Sequence, residues 1–372
     1  MTIDVDKKEI RAAALTPIVQ QTAFWAEVKA NQGITPYAFD FKVQNNEVYV
    51  DGKDKTSTYA DFLILQQALN SDYSIAYVPY GPELEPSEEV QGQFLEELSE
   101  NLRSFLPKSC IGIRYDLAWQ SHWDTEEYYD ENNLWKGPPE KKYQEFRLNY
   151  NTQNWNLHRA NSDILPSNTI YIDLTADEKT ILARMKPKTR YNILLAARKD
   201  VVVRQAGMDE LDTWYGLYSE TAQRNRLFLN DIEYFRTVLN ARAEDSLSPA
   251  TVELLIAEKD GVPLAAIFLI ISGNRGTYLY GASSSNHRNC MPTYALQWEA
   301  IRRSKARGCL QYDMFGVSPG PDTSHPMYGL YKFKSGFGGE LFHQMGCWDY
   351  PFDDDRYKLF IAAEMHSQGY HL

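Results

Sequence analysis

Alternation of hydrophobic and polar positions divides the chain into short strands and amphipathic helices. In the first half, residues 17–30 predict a helix whose Phe24-Trp25 pair faces the core. Strand-like runs at 37–43 and 47–50 follow, separated by the polar turn Gln44-Asn45-Asn46. Residues 73–79 predict a strand stopped by Tyr80-Gly81-Pro82. Residues 87–106 predict a helix opened by Pro86-Ser87 and closed by Pro107. Residues 110–115 predict a strand that delivers Asp116. From 119 to 168, the acidic run 124–127 and Gly137-Pro138-Pro139 predict an irregular surface excursion and an interdomain connection.

The second half opens on a strand at 169–174, with Thr175 and Glu178 placed as a capping box for the next helix. A helix at 188–199, a strand at 201–204 and helices at 208–225 and 231–243 follow. Strands at 252–258, 262–271 and 275–280, the first pair joined by Asp260-Gly261, predict an antiparallel meander. A helix at 293–307, stopped by Gly308, leads to a strand at 310–315. The halves repeat one order, a hairpin-bearing sheet, a helix and a strand ending in Tyr-Asp: Tyr115-Asp116 and Tyr312-Asp313. A duplicated α/β unit would place a cleft between its copies.

At 372 residues the chain exceeds what one hydrophobic core usually supports, which predicts two domains. A net charge of −12 argues against a broad nucleic-acid-binding face but leaves room for a local basic patch. Residues 184–204 supply one: Arg184, Lys186, Lys188, Arg190, Arg198, Lys199 and Arg204 against Asp200 alone. Arg302, Arg303, Lys305 and Arg307 would extend it. The four cysteines are scattered without CxxC spacing, as expected of reduced thiols in a cytoplasmic protein. The N-terminal residues lack the apolar run of a secretory signal, and no stretch approaches the roughly 20 apolar residues of a membrane span. Membrane contact, if any, is expected to be peripheral. No metal or nicotinamide signature is present.

The order of elements over 250–315 is that of an N-acetyltransferase-like (GNAT) fold, in which a glycine-rich loop at the helix start holds the coenzyme A pyrophosphate. The corresponding stretch, 286–293, contains no glycine, which disfavours coenzyme A.

The segments IDLTADEKTILARMKPKTRYNILLAARKDVVV, YLYGASSSNHRNCMPTYALQWEAI and GLYKFKSGFGGE resemble the Fem (FemABX) family of peptidoglycan-bridge aminoacyltransferases, and the likeness extends to the early FWAEVK and YVPYGP. The resemblance implies an α/β fold of two tandem GNAT-like domains. One comprises residues 1–167 with about 345–372 and binds the precursor; the other, 168–344, carries out aminoacyl transfer. It further implies transfer from aminoacyl-tRNA to the amine of the third stem residue of UDP-MurNAc-pentapeptide or lipid II, with no other cofactor. The helical-hairpin (coiled-coil) arm of some members is missing, since 244–249 link directly to Val252, which tilts the acceptor towards the UDP form.

Residue by residue, Lys29 matches a ligand of the precursor diphosphate and Arg224 a second phosphate ligand, with Arg226 as the alternative. Leu227-Phe228-Leu229-Asn230 departs from the family pattern at that point. Asp116 matches the base for the attacking amine. Lys334 matches the cation that stabilises the carbonyl oxyanion, with Phe333 as an apolar wall and Tyr280 lining the same channel. Lys186, Lys188, Arg190 and Arg198 are the expected tRNA contacts, and Gly336, Gly338 and Gly339 allow the chain to turn after Lys334. Two other functions compete: a coenzyme A-dependent N-acyltransferase, or a non-catalytic member that binds precursor only.

Overall fold

Both halves are built on one plan: an antiparallel meander, a helix laid on its face, and a strand that returns parallel to the last. The computed structural model describes residues 1–50, 56–225 and 229–366. The chain divides into one unit of Met1–Ala14, Gln20–Ser167 and the residues from His343 onward, and another of Leu15–Val19 and Asn168–Phe342.

In the first unit the meander comprises β1 (Ile3–Lys8), β2 (Thr35–Gln44), β3 (Ser57–Ala68) and β4 (Ser74–Val78). Helix α1 (Ala23–Ala30) and the helical turn α2 (Asn45–Val48) occupy its connections. Helix α3 (Gln91–Leu102) crosses to β5 (Cys110–Gln120), parallel to β4. Phe39, Phe41, Phe62, Phe94, Leu98, Tyr115 and Trp119 form its core. Helix α4 (Lys141–Asn149) and the short β6 (His158–Arg159) complete this stretch.

The second unit runs β7 (Asn168–Asp173), α5 (Glu178–Arg184), α6 (Pro187–Arg198), β8 (Val202–Ala206), α7 (Leu211–Asn225) and α8 (Ile232–Asn240). Its meander then follows as β9 (Thr251–Lys259), β10 (Val262–Ser272) and β11 (Arg275–Ser283). Helix α9 (Pro292–Ala306) crosses to β12 (Gln311–Asp313), and α10 (Tyr328–Lys334) comes next. The strand order is β7-β12-β11-β10-β9-β8, with β12 parallel to β11. Finally β13 (Glu340–Pro351) and α11 (Asp354–His366) return to the first unit, where β13 lies antiparallel to β5 and sets Cys347 opposite Asp116. Asp116 and Asp313 thus occupy equivalent strands of the two units, but β5 runs on to Gln120 while β12 stops at its aspartate.

Alternate residues of β10 face opposite layers: Ile267 and Leu269 join the core with α9, while Phe268 packs on Trp214 of α7 and Phe235 of α8. A register shift pairs Phe268 with Tyr280 but Leu269 with Tyr278, which leaves Leu279 as the extra residue. Such a bulge re-aims neighbouring side chains. Tyr278 therefore joins the α9 side and Tyr280 the α7/α8 side, although two residues apart they would otherwise share a face.

Several expectations need correction. The expected strand at 47–50 is instead the turn α2, because Asn45 bonds Thr56 (3.0 Å) and Thr58 (2.5 Å) through its side chain and closes the backbone there. Helix α1 begins at Ala23, not Pro17, with the Thr22 hydroxyl capping Trp25 N at 3.1 Å. Asp177, not Thr175, caps α5, by accepting from Thr180 N. The region 119–168 holds α4, whose aromatics Tyr143 and Phe146 point outward and so hide its amphipathic signal.

Arg114 on β5 is 1% exposed and grips Asp349 of β13 through Nε (2.7 Å) and a second guanidinium nitrogen (2.8 Å), and Glu364 of α11 at 2.5 and 3.0 Å. Tyr357 donates to the same Asp349 at 2.9 Å. This network fastens α11 to the first sheet. Removing its cation would leave two buried carboxylates uncompensated, so Arg114→Ala should lower unfolding free energy by about 3–5 kcal/mol in denaturant titration; a loss under about 1 kcal/mol would show that the network contributes little.

Candidate active site

Lys334 is the last residue of α10 and only 5% exposed. Its Nζ donates to the Phe315 carbonyl at 3.1 Å and the Gly316 carbonyl at 2.8 Å, and stands 4.9 Å from the ring centre of Tyr278. Burial pulls its pKa down to about 7, with Asp313 opposing the fall. An ammonium has three N–H donors. Two are spent on carbonyls, and the third has no hydrogen-bond acceptor among the described residues. Phe333 beside it packs edge-on against Tyr294 and Phe337, forming an aromatic wall.

The bulge separates two residues that sequence reasoning had joined. Tyr280, expected to line the channel of Lys334, bonds the Tyr234 hydroxyl at 2.5 Å and packs edge-to-face against Phe235 and Phe268 on the opposite face. Tyr278 takes the expected place. A register shift between two strands leaves no mark in a single sequence.

Arg224, near the end of α7, donates to the Ser283 carbonyl (2.9 Å), the Ser283 hydroxyl (3.1 Å) and the Ser285 hydroxyl (3.3 Å). It is half-buried at the C-terminal end of β11. Arg226 lies outside the described residues. The segment before α9 keeps His287 and Met291 in the left-handed region, at φ 52 and 56, with side chains where a phosphate cradle would need glycine.

In the first unit, Lys29 closes α1, bonds Gln32 at 3.1 Å and stands 5.1 Å from the Trp25 ring centre. Burial lowers its pKa to about 8. Asp116 has no exposed surface; its Oδ2 accepts from Tyr77 (2.9 Å) and Leu165 N (2.8 Å). Burial, reinforced by the Asp163 carboxylate, raises its pKa to about 7. That proton affinity suits a base near neutrality; Oδ2 is committed to its neighbours, while the buried Oδ1 accepts no hydrogen bond among the described residues.

The basic strip is thinner than its sequence suggests. Arg184 pairs with Asp173 at 2.8 Å, and Arg204 is held by Glu210 and Glu258. Arg190 donates to the Ala183 and Met185 carbonyls, and Lys186 to Ser335 at 3.2 Å. Among the described residues of the strip, Lys186, Lys188, Arg198 and Lys199 are exposed without an ion pair. The arginines of the extension are neutralised: on α9 Arg302 meets Glu178 and Glu299 and Arg303 meets Glu253 and Glu299, just past it Arg307 meets Glu253, and Lys305 donates to the Leu174 carbonyl at 2.7 Å. Gly336 and Gly339 serve packing, since a Cβ would fall 2.3 Å from the Thr189 hydroxyl and 2.6 Å from the Tyr171 carbonyl. A cavity of about 350 Å³ nearby is lined by Tyr171, Asp173, Arg184, Gln311 and Glu340, and excludes Lys334.

Comparison with known proteins bears on this geometry. The model of the FemAB family matches residues 14–249 and 240–365. Lipid II:glycine glycyltransferase of Staphylococcus epidermidis is 24% identical over 245 residues, 50% of this chain and 58% of the relative. That of Staphylococcus haemolyticus is 27% identical over 183 residues, 49% of this chain and 41% of the relative. The chain spans about half the length of the curated relatives it matches. A crystal structure of FemX superposes with a TM-score of 0.70 at 17% identity, covering 96% of this chain and 100% of that one, and shares its fold.

Lys334 makes stability depend on pH. The unfolded lysine holds its proton to 10.5, the folded one only to about 7. Between those values the unfolded state binds more protons, so stability rises with pH across that window and the contribution is least favourable below it. Denaturant unfolding between pH 7 and about 9.5 should show a steeper rise for the wild type than for Lys334→Met; equal slopes would mean the buried amine titrates normally.

Proposed function

The chain belongs to the FemAB family, and on that premise we propose that it transfers an aminoacyl group from aminoacyl-tRNA to the stem-peptide amine of a peptidoglycan precursor. The observation that carries this reading is the half-committed ammonium of Lys334. Aminolysis of an ester builds negative charge on the carbonyl oxygen as the amine attacks. A cation already stripped of water and fixed by two carbonyls meets that charge without reorganising. The Phe333 wall keeps the surroundings apolar, which strengthens the attraction.

The other components follow from the same reaction. The attacking amine must be neutral, so its proton needs an acceptor. Asp116, which burial brings to about 7, is an acid group matched to that task. Lys29 in the first unit and Arg224 in the second each present donors of a kind suited to phosphate. Lys188, Arg198 and Lys199 offer phosphate contacts for the acceptor stem, with Lys186 and Arg190 flanking them. The staphylococcal relatives are named for lipid II and glycine, so glycine is the first donor amino acid to test. The short 241–250 connection between α8 and β9 still points to the nucleotide-linked acceptor. Coenzyme A is disfavoured by the glycine-free segment before α9.

The test is incubation with a panel of aminoacyl-tRNAs and either UDP-MurNAc-pentapeptide or lipid II, with product mass as readout. One added residue on the acceptor is expected, and Lys334→Met should reduce the rate by about 10²–10³. Acylation from acetyl-coenzyme A without transfer from tRNA would overturn the reading. In a binding assay with charged tRNA, Lys188→Glu with Arg198→Glu should weaken affinity and flatten its salt dependence, whereas Arg303→Ala should change neither, because that arginine is already neutralised.

A further inference from the structure

The proposed chemistry leaves Asp313 without a role, although it is 6% exposed at the end of β12. Its Oδ1 accepts from the Thr169 hydroxyl at 2.5 Å and from the Phe315 amide at 2.7 Å. The second bond closes a tight turn in which Phe315 takes φ 57, a left-handed conformation that a bulky residue rarely adopts. In that turn the Phe315 and Gly316 carbonyls point together at Lys334 Nζ, at 3.1 and 2.8 Å. One continuous path therefore runs from Thr169 through the Asp313 carboxylate and the backbone on both sides of the Phe315 α-carbon to the ammonium.

We propose that Asp313 is the positioning residue for Lys334: it fixes the 313–316 turn whose two carbonyls aim the ammonium's remaining N–H at the reacting carbonyl. The inference rests on the role given to Lys334 above. Asp313 acts a second way, through its charge. It is the charged side chain whose field opposes the burial of Lys334. Tyr278 on β11 and Tyr312 on β12 also line this region, but burial pushes both phenols up, Tyr278 to about 12, so neither supplies charge near neutrality. On α10 itself, Lys332 is exposed and Tyr331 half-buried.

The first unit shows what the equivalent aspartate does without a lysine. Asp116 also follows a tyrosine on the returning strand and also bonds a backbone amide, that of Leu165. Burial first, and then the carboxylate of its charged neighbour Asp163, drive its pKa up. The equivalent strands thus carry the same residue in two electrostatic settings, and that of the second unit turns it towards a cation.

The experiment compares Asp313→Asn, Asp313→Ala and Thr169→Val with the wild type in aminoacyl transfer across pH, alongside hydrogen exchange at the Phe315 amide. Asparagine retains the acceptor oxygen but not the charge. It should leave Phe315 protected and move the alkaline limb of the kcat profile down by about one pH unit. Alanine removes both, and should expose the Phe315 amide and lower kcat about tenfold or more while KM changes less than about twofold. Thr169→Val should fall between the wild type and Asp313→Ala in kcat without moving the limb. A wild-type pH limb and kcat in both Asp313 variants would overturn the proposal. If even the wild type fails to transfer, the reading of the reaction is wrong while this one is still tested: unchanged Phe315 protection in Asp313→Ala would overturn it, and lost protection would support the turn.

Discussion

A lysine ammonium taken almost wholly out of water is the constraint on which the second unit depends. Burying a cation is costly unless other groups replace its hydration. Here the replacement comes from two peptide carbonyls and the face of an aromatic ring. The carbonyls are available only because Phe315 is held in a left-handed turn, and the ring only because a bulge in β11 turns Tyr278 towards α10. Meander, crossover helix and short terminal strand all serve to bring those three pieces to one amine. The site is one of prepared electrostatics.

The duplicated architecture accounts for much of the rest. Each unit carries a meander, a crossover helix and a returning strand that holds a Tyr-Asp pair, and each buries its aspartate. Their differences are local. In the first unit the returning strand continues and β13 seals its far side, so Asp116 is shut in with Tyr77 and Cys347. In the second, β12 ends after three residues and the chain turns back over Lys334. A fold copied twice supplies a buried acid in each copy, and strand length decides what that acid meets.

The order of elements was largely legible in sequence, because the period of hydrophobic residues changes sharply between strand and helix along 168–315. The repeat was legible too, through its two Tyr-Asp pairs. Where reading failed, the cause was physical. Helix α4 turns aromatics outward, so its pattern reads as irregular. At 47–50 a side chain of Asn45 outcompetes the strand. The terminal strand β13 pairs with β5 more than two hundred residues earlier in the chain, a partnership no local pattern announces. At the site, Lys334 stands in a motif that sequence could mark, whereas Tyr278 and Asp313 matter through a bulge and a turn. The basic strip shows the same limit: sequence counts charges, and folding pairs off Arg184, Arg204, Arg302, Arg303 and Arg307.

Titration of the Lys334 side-chain nitrogen by heteronuclear NMR in lysine-labelled protein, assigned by its loss in Lys334→Met, tests the central claim most directly. A midpoint near 7, below the value of about 8 to which burial brings Lys29, is the expected result. A midpoint in the ordinary lysine range would mean that the amine is solvated, and the prepared cation on which this account rests would not exist.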